Sequence, residues 1–198
     1  MKKCLVTSLV AMVLAGCGGG PRLAEPTRYD LGTVGGAIAW RQPLSAIEVQ
    51  TSSWLATTVM HYRLGYVEPL RRQGYTESRW AAPPAELLES FLTRGQGAMD
   101  AAGPACRMQL VLDELEQRFD DAQSSQVVLE ARAVLLPARG SDMLARRSFR
   151  IHKPAPTGDA RGGAGAAREA ALALAQELAA WTNGLASDNP AVVERCRN

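Results

Sequence analysis

The sequence is poor in the residues that most often carry enzyme chemistry and metal binding. It contains two histidines and four cysteines among 198 residues, and aromatic side chains make up only 6%. Four cysteines are too few for a scaffold held together mainly by disulfides. The 22 Lys and Arg exceed the 20 Asp and Glu by two. That surplus is too small to indicate nucleic-acid binding, which needs many cations on one face.

Short motifs of the common enzyme classes are also absent. The sequence has no G-x-S-x-G, no H-E-x-x-H, no phosphate-binding lysine loop and no C-x-x-C. His61 and His152 fall in predicted strands, which favours ordinary strand positions over general bases. Asp120 and Asp121 indicate the end of a hairpin rather than a calcium site, and Gly162–Gly165 indicates a helix entry rather than a phosphate-binding turn. We therefore expect no enzymatic activity, no metal and no cofactor.

One long hydrophobic run is present, at the N-terminus. Two lysines precede a mostly apolar stretch over residues 4–15, shorter than the roughly 20 residues of a membrane-spanning helix. Leu14-Ala15-Gly16-Cys17 then has the form of a bacterial lipobox. We predict a lipoprotein signal peptide over residues 1–16 and diacylglyceryl attachment to the sulfur of Cys17, since several acyl chains anchor a protein without a spanning helix. The alternative is an ordinary secretory signal with a cysteine at its cleavage point.

Removal of the predicted signal peptide changes the charge balance. It takes away two lysines and no acid, so the remaining 182 residues carry 20 cations and 20 anions. A formally neutral body argues against electrostatic docking as the main binding mode. Residues 17–27 contain several Gly and Pro residues and predict a flexible tether. In enteric bacteria, an Asp directly after the lipidated cysteine resembles an inner-membrane retention signal. This chain has Gly18 at that position, so we expect attachment to the outer membrane, on its periplasmic face.

Hydrophobic periodicity after the tether alternates between strand-like and helix-like patterns, without a long linker or repeat. Short connections between the later strands favour antiparallel hairpins over crossover helices. We predict a single α+β domain over residues 28–184, with a mainly antiparallel sheet and two helices packed on one face, followed by a C-terminal tail at 185–198. The predicted strands lie at 29–34, 44–55, 57–65, 75–77, 108–112, 127–135 and 143–151, and the predicted helices at 83–95 and from 162 to Asn183-Gly184.

The mature chain has two cysteines besides Cys17. In an oxidising periplasm Cys106 and Cys196 can pair and tie the C-terminal tail to the start of a predicted strand. Sequence alone does not establish that the two sulfur atoms approach each other, so a disulfide and two free thiols both stay open.

Large aromatic side chains and a run of cations are the candidates for contact surfaces. Trp80 and Trp181 are expected to be core anchors, whereas Trp54 and Tyr66, near predicted loops, are candidates for a partner or oligomer surface. Cations around the last predicted strand favour a solvated sheet edge over a site for anionic lipid or an acidic partner. These cations are Arg139, Arg146, Arg147, Arg150 and Lys153.

Several segments together resemble a known family. Residues 79–88, an Arg-Trp pair followed by a helix opening, resemble the corresponding segment of the ABC-type transport auxiliary lipoproteins, a group that includes the PqiC-like lipoprotein of the paraquat-inducible MCE transport system. Where that family often has Pro-x-Tyr-Leu-Asp, this chain has Ser53-Trp54-Leu55-Ala56. The resemblance covers most of residues 28–182. Its other parts are Tyr62-Arg63, the segment 114–120, the strand pair after it, the Ala-rich helix ending at Trp181 and the lipobox.

The resemblance implies a non-enzymatic accessory subunit of a transporter that moves lipids or other hydrophobic compounds between the two membranes. It implies an MCE-domain protein and an ABC permease with its ATPase as partners, with a ring of identical subunits as one assembly. A stand-alone lipoprotein that binds lipid or peptidoglycan is the alternative function. A periplasmic hydrolase is a third, and it lacks a visible nucleophile–base pair.

Overall fold

The structure is a computed structural model that describes residues 24–36, 38–40, 44–96, 105–188 and 190–197. The predicted signal peptide and Cys17 lie outside these residues. Seven strands and three helices are formed in the described part. In chain order they are β1 Thr27–Tyr29, β2 Leu44–Thr51, β3 Val59–Leu64, β4 Arg72–Trp80, α1 Pro84–Gly95, β5 Cys106–Phe119, β6 Ser125–Leu136, β7 Ala145–Pro154, α2 Ala160–Asp188 and α3 Pro190–Arg197.

All seven strands belong to one mixed sheet of order β1-β4-β3-β5-β6-β7, with β2 also paired to β5. The pairs β1–β4, β2–β5 and β3–β5 are parallel, and β3–β4, β5–β6 and β6–β7 are antiparallel. The α+β class is therefore confirmed, but the prediction of a mainly antiparallel sheet is wrong. Parallel strands need a long connection, because the chain must return to the same end of the sheet before the second strand begins. The segment between β3 and β5, which contains β4 and α1, provides this return and lets β5 lie parallel to β2 and β3.

The longest strand, β5, serves two different neighbours. Its first half pairs with β2 and its last three residues pair with β3. Alternate residues on one face of β5 are fully buried, and they pack with the corresponding apolar positions of β6 and β7. This alternation is the pattern of a strand whose one face covers the core.

Helix α1 contacts β2, α2 contacts β6 and β7, and the two helices contact each other. The helix α1 begins after Pro83, carries Glu86 in its first turn, and buries Leu88, Phe91 and Leu92. Pro at a helix start removes no hydrogen bond, and an acid there suits the helix dipole. In the described part, no helix combines the length and apolarity that crossing a membrane requires.

The C-terminal region differs from the prediction. Helix α2 does not end at Asn183-Gly184 but continues to Asp188, and residues 190–197, expected as part of a tail, form α3. A glycine inside a helix costs only about 1 kcal/mol. The buried residues Leu178, Trp181 and Thr182 lie in the turns just before Gly184, and their packing is enough to outweigh that cost.

The two ends of the sheet carry different connections. Leu64 of β3 and Phe119 of β5 are partners, so the connection 65–71 between β3 and β4 lies where β5 ends. We call this the turn end of the sheet. Met143 precedes β7, whose Ala145 pairs with Leu135, itself a partner of Met108 near the start of β5. Met143 therefore lies at the opposite end.

Candidate functional site

A β-bulge in β5 places two carboxylates on the face of the sheet opposite the buried leucines. The register shifts between Leu112 and Glu114, so that Leu112 pairs with Ala131 and Glu114 with Glu130. One extra residue reverses the alternation, as expected of a bulge. Leu115 consequently stays on the core side, while Glu114 and Glu116 share the outer face.

Glu116 is the centre of a cluster of three arginines and two carboxylates. Its side chain has no exposed surface, and its oxygens accept hydrogen bonds from Arg63 Nε at 2.9 Å, Arg118 NH2 at 2.8 Å and Arg72 Nε at 3.3 Å. Arg72 also donates to Glu114 at 2.6 Å. Because the arginines come from β3, β4 and β5, the cluster joins three strands through one buried carboxylate.

The two carboxyl groups have opposite pKa shifts. Burial alone raises the pKa of Glu116, but hydrogen bonds from Arg63 and Arg118 and the charges of Arg63 and Arg72 outweigh it and lower the pKa overall. Burial, followed by repulsion from Glu116, raises the pKa of Glu114 to about 6 despite the opposing arginines. Oε1 of Glu114 is buried without a hydrogen-bond partner, which also favours the protonated form.

Trp54 covers one side of this cluster. The Arg72 guanidinium carbon lies 3.6 Å from the Trp54 ring centroid, and the His61 ring meets Trp54 edge-on at 5.8 Å. Burial, and then the charge of Arg72, lower the pKa of His61, which favours the neutral form of the ring. Trp54 is 38% exposed. It therefore presents one surface to solvent while the other takes part in a cation–π contact.

The turn 65–71 at the end of β3 is apolar and exposed. Tyr66, Val67 and Leu70 are 48%, 64% and 92% exposed. Arg63 NH1 donates to the Pro69 carbonyl at 2.8 Å, which ties the turn to the cluster. Beside the turn lies an open cleft of about 540 Å³. Its lining residues are Arg63, Gly65, Tyr66, Pro69, Arg118, Phe119 and Asp120.

The structure joins the other pair of candidate residues, Cys106 and Cys196, in a disulfide. Their Cα atoms are 4.5 Å apart across a sequence separation of 90, and both residues are fully buried. The bond ties α3 to the first residue of β5. The structure does not bring the two aromatic candidates, Trp54 and Tyr66, together. Tyr66 lines the cleft beside Arg63, whereas Trp54 stacks on Arg72, and the two arginines both bind Glu116.

Reduction of this disulfide is expected to lower the free energy of unfolding by about 2–4 kcal/mol, because opening a long loop frees the unfolded chain. Urea unfolding with and without reductant measures the change. The double variant Cys106→Ser, Cys196→Ser is the control and is expected to be insensitive to reductant. Two free thiols in a non-reducing peptide map of the wild-type protein would contradict the pairing.

The predicted cationic strand lies at the edge of the sheet. Only β6 pairs with β7 among the described strands. Arg150 forms an ion pair with Glu130 at 2.8 Å, and Arg147 lies over the Phe149 ring. Cations along an open edge discourage pairing with another strand, which supports the interpretation as a solvated edge.

Sequence reasoning missed the cluster itself. The sequence analysis does not identify Arg72, Glu114 and Glu116 as interacting groups, although Glu114 and Glu116 stand two apart, just after the predicted strand at 108–112. The spacing i, i+2 was the available signal, because such residues share one face of a strand. Within the described residues, no group of three or more His, Cys, Asp or Glu side chains is arranged to hold a metal.

Replacing Glu114 with glutamine is expected to remove part of the pH dependence of stability. The folded pKa of Glu114, about 6, lies above the ordinary value of 4.5. The raised pKa therefore adds to the free energy of unfolding in full below pH 4.5, where Glu114 is protonated. This contribution is lost as the pH rises through 6. Over that range the wild-type protein is expected to lose about 2 kcal/mol relative to Glu114→Gln, measured by urea unfolding. The control is Glu177→Gln, on the exposed face of α2. If the free energy of unfolding of the wild type and of Glu114→Gln changed equally with pH, the raised pKa of Glu114 would be contradicted.

Comparison with known proteins identifies related sequences and folds. A family model described as ABC-type transport auxiliary lipoprotein component matches residues 47–179. A Xanthomonas campestris crystal structure of the DUF330 family is 21% identical, with a TM-score of 0.67, and the alignment covers 79% of this chain and 94% of that one. An uncharacterized protein of known structure is 13% identical, with a TM-score of 0.62 over 80% and 99% of the two chains. At these identities the structures show a shared fold. No curated protein matches the sequence.

Proposed function

Because this chain belongs to the ABC-type transport auxiliary lipoprotein family, we propose that it is a non-enzymatic accessory subunit of a transporter for lipids or other hydrophobic compounds. The family match over residues 47–179 carries this proposal. The partners are an MCE-domain protein, which forms the path across the periplasm, and an ABC permease with its ATPase. A ring of identical subunits is the assembly proposed for this chain.

The proposed location is the periplasmic face of the outer membrane. Residues 1–16 act as the signal peptide and Cys17 carries the lipid. The predicted tether at 17–27 is shortened to 17–26, because Thr27 is the first residue of β1 and belongs to the transport domain. The lipobox and the lipoprotein character of the family support the anchor. Gly18 in place of an acidic retention residue supports the outer membrane.

Trp54 is the proposed contact for the protein partner. Its exposed surface lies over a rigid base, since Arg72 beneath it is held by both Glu114 and Glu116. An aromatic side chain fixed in this way loses little conformational freedom on binding, a property of residues that dominate interface energies.

Co-purification tests this function directly. The full-length protein is tagged, expressed at its natural level and extracted in mild detergent. We expect an MCE-domain protein to co-purify with it in a fixed ratio, as identified by mass spectrometry. Trp54→Ala is expected to reduce that ratio. Met143→Ala, which removes another exposed apolar side chain at the other end of the sheet, is the matched control.

Two outcomes would contradict the proposal. One is a wild-type preparation that repeatedly contains no MCE-domain protein although the chain itself is intact. The other is native mass spectrometry that finds a monomer with one bound lipid and no protein partner, which would support the stand-alone lipid-binding alternative.

A further inference from the structure

Three exposed apolar side chains are grouped on a single short turn. Tyr66, Val67 and Leu70 lie within residues 65–71, and Leu70 is 92% exposed. Single exposed apolar residues are ordinary on protein surfaces, but a group of them indicates a surface that another apolar phase covers. The carbonyl of Pro69 accepts a hydrogen bond from Arg63, so the turn is held by the buried cluster.

The direction of β1 indicates which surface the turn faces. β1 runs parallel to β4, with Thr27 paired to Ser78 and Tyr29 to Trp80. β4 itself begins at Arg72, directly after the turn. The chain that precedes Thr27 therefore leaves the sheet toward the turn end, where Tyr66, Val67 and Leu70 lie.

The length of the tether agrees with this direction. Nine residues lie between Cys17 and Thr27, so ten residue-to-residue steps join the two and span at most about 33–36 Å when extended. The strand path from Ser78 back to Arg72 covers six residue-to-residue steps, or about 20 Å, before the turn begins. The tether is therefore long enough to bring Cys17 to the level of the turn, and the acyl chains proposed for Cys17 would then hold the membrane at that end of the sheet.

The charges at this end suit a lipid surface reached by apolar contact. Arg71 is paired with Glu68 on the turn itself. Arg118 faces the cleft with its Nε unpartnered, and Asp120 lines the same cleft. Asp121 of the neighbouring β5–β6 connection is also exposed. Because cations and anions are mixed at this end, anionic lipid neither strongly attracts nor strongly repels it. A tyrosine beside two aliphatic side chains is suited to the membrane interface.

We propose that the turn 65–71 inserts Tyr66, Val67 and Leu70 into the surface of the membrane that holds the lipid on Cys17. The turn is thus a second, peripheral contact that fixes the orientation of the sheet on the membrane. Tyr66, predicted at a partner surface, contacts lipid rather than protein. This inference rests on the proposed lipidation of Cys17.

Tryptophan quenching by lipid tests the proposal. Leu70→Trp and Met143→Trp each place a new indole at an exposed apolar position, at opposite ends of the sheet, and the four native tryptophans are common to both. Each full-length lipidated variant is reconstituted into phosphatidylethanolamine–phosphatidylglycerol vesicles with brominated acyl chains. After subtraction of the wild-type signal, we expect at least about twofold stronger quenching for Leu70→Trp, because interfacial side chains lie within about 5–10 Å of the acyl boundary.

The possible results separate this proposal from the anchor on which it rests. A protein that lacks acyl chains and does not float with the vesicles contradicts the lipidation. A protein that floats with the vesicles but shows equal quenching at positions 70 and 143 overturns the membrane-facing turn alone. A blue shift of Leu70→Trp without quenching also overturns it, since a protein surface then covers the turn.

Discussion

Cys17→Ser is expected to abolish attachment of acyl chains to this protein. The diacylglyceryl group is transferred to a thiol, and a serine hydroxyl supplies no thiolate. Each buried CH₂ of an acyl chain contributes about 0.8 kcal/mol to membrane attachment, so the loss removes the main anchor. Incorporation of radiolabelled palmitate should fall to background, and mass spectrometry should find no mature N-terminus at residue 17.

Cys4→Ser is the matched control for this change. It makes the same replacement within the apolar part of the predicted signal peptide, where no thiol chemistry is expected. Normal palmitate labelling of Cys4→Ser alongside unlabelled Cys17→Ser supports the lipobox. Equal labelling of the Cys17→Ser protein and the wild type would show that the signal is of another kind.

Glu116→Ala is expected to lower the free energy of unfolding by about 3–5 kcal/mol, the range for removing one partner of a buried ion pair. The change leaves the guanidinium groups of Arg63, Arg72 and Arg118 close together around an empty position. Arg63 and Arg72 are themselves largely buried, with side-chain exposures of 16% and 24%. Urea unfolding monitored by tryptophan fluorescence measures the loss.

Glu130→Ala is the control for Glu116→Ala. It removes a carboxylate from the outer face of the adjacent strand, where the ion pair with Arg150 is exposed. Such pairs contribute about 0–1 kcal/mol, so a small loss is expected. Similar losses for the two variants would mean that the cluster does not hold β3, β4 and β5 together.

Acid should act on Glu116 in the opposite direction from Glu114. The lowered pKa of Glu116 means that its contribution to stability is complete above the ordinary carboxyl pKa and is lost as the pH falls below it. Glu116→Gln should therefore flatten the acid side of the stability curve. The two carboxylates stand two residues apart, and only their surroundings distinguish them.

Much of the fold follows from local patterns in the sequence. Alternation of apolar residues predicts the cores of β5, β6 and β7, because a strand with one buried face requires that period. Pro83-Pro84 and Glu86 predict the start of α1 for reasons internal to a helix. Trp80 and Trp181, expected as core anchors, are buried at 4% and 9% exposure.

The errors concern features that depend on distant parts of the chain. The parallel pairing of β5 with β2 and β3 depends on contacts between strands that lie far apart in the sequence, on either side of a helical connection, which no local pattern records. The end of α2 depends on packing that outweighs the cost of Gly184. The helix at 190–197 is fastened to β5 by a cysteine 90 positions away in the sequence.

The sequence by itself determined the lipobox-like motif, the equal numbers of cations and anions in residues 17–198, the α+β composition and the resemblance to a family. Each of these depends on residue type and on spacing within a short segment. Only the tertiary structure decided that Glu116 binds three arginines and that the turn 65–71 lies at the end of the sheet from which β1 runs. Those features arise from a one-residue bulge and from pairing between strands far apart in sequence, and both are set by the packing of the whole sheet.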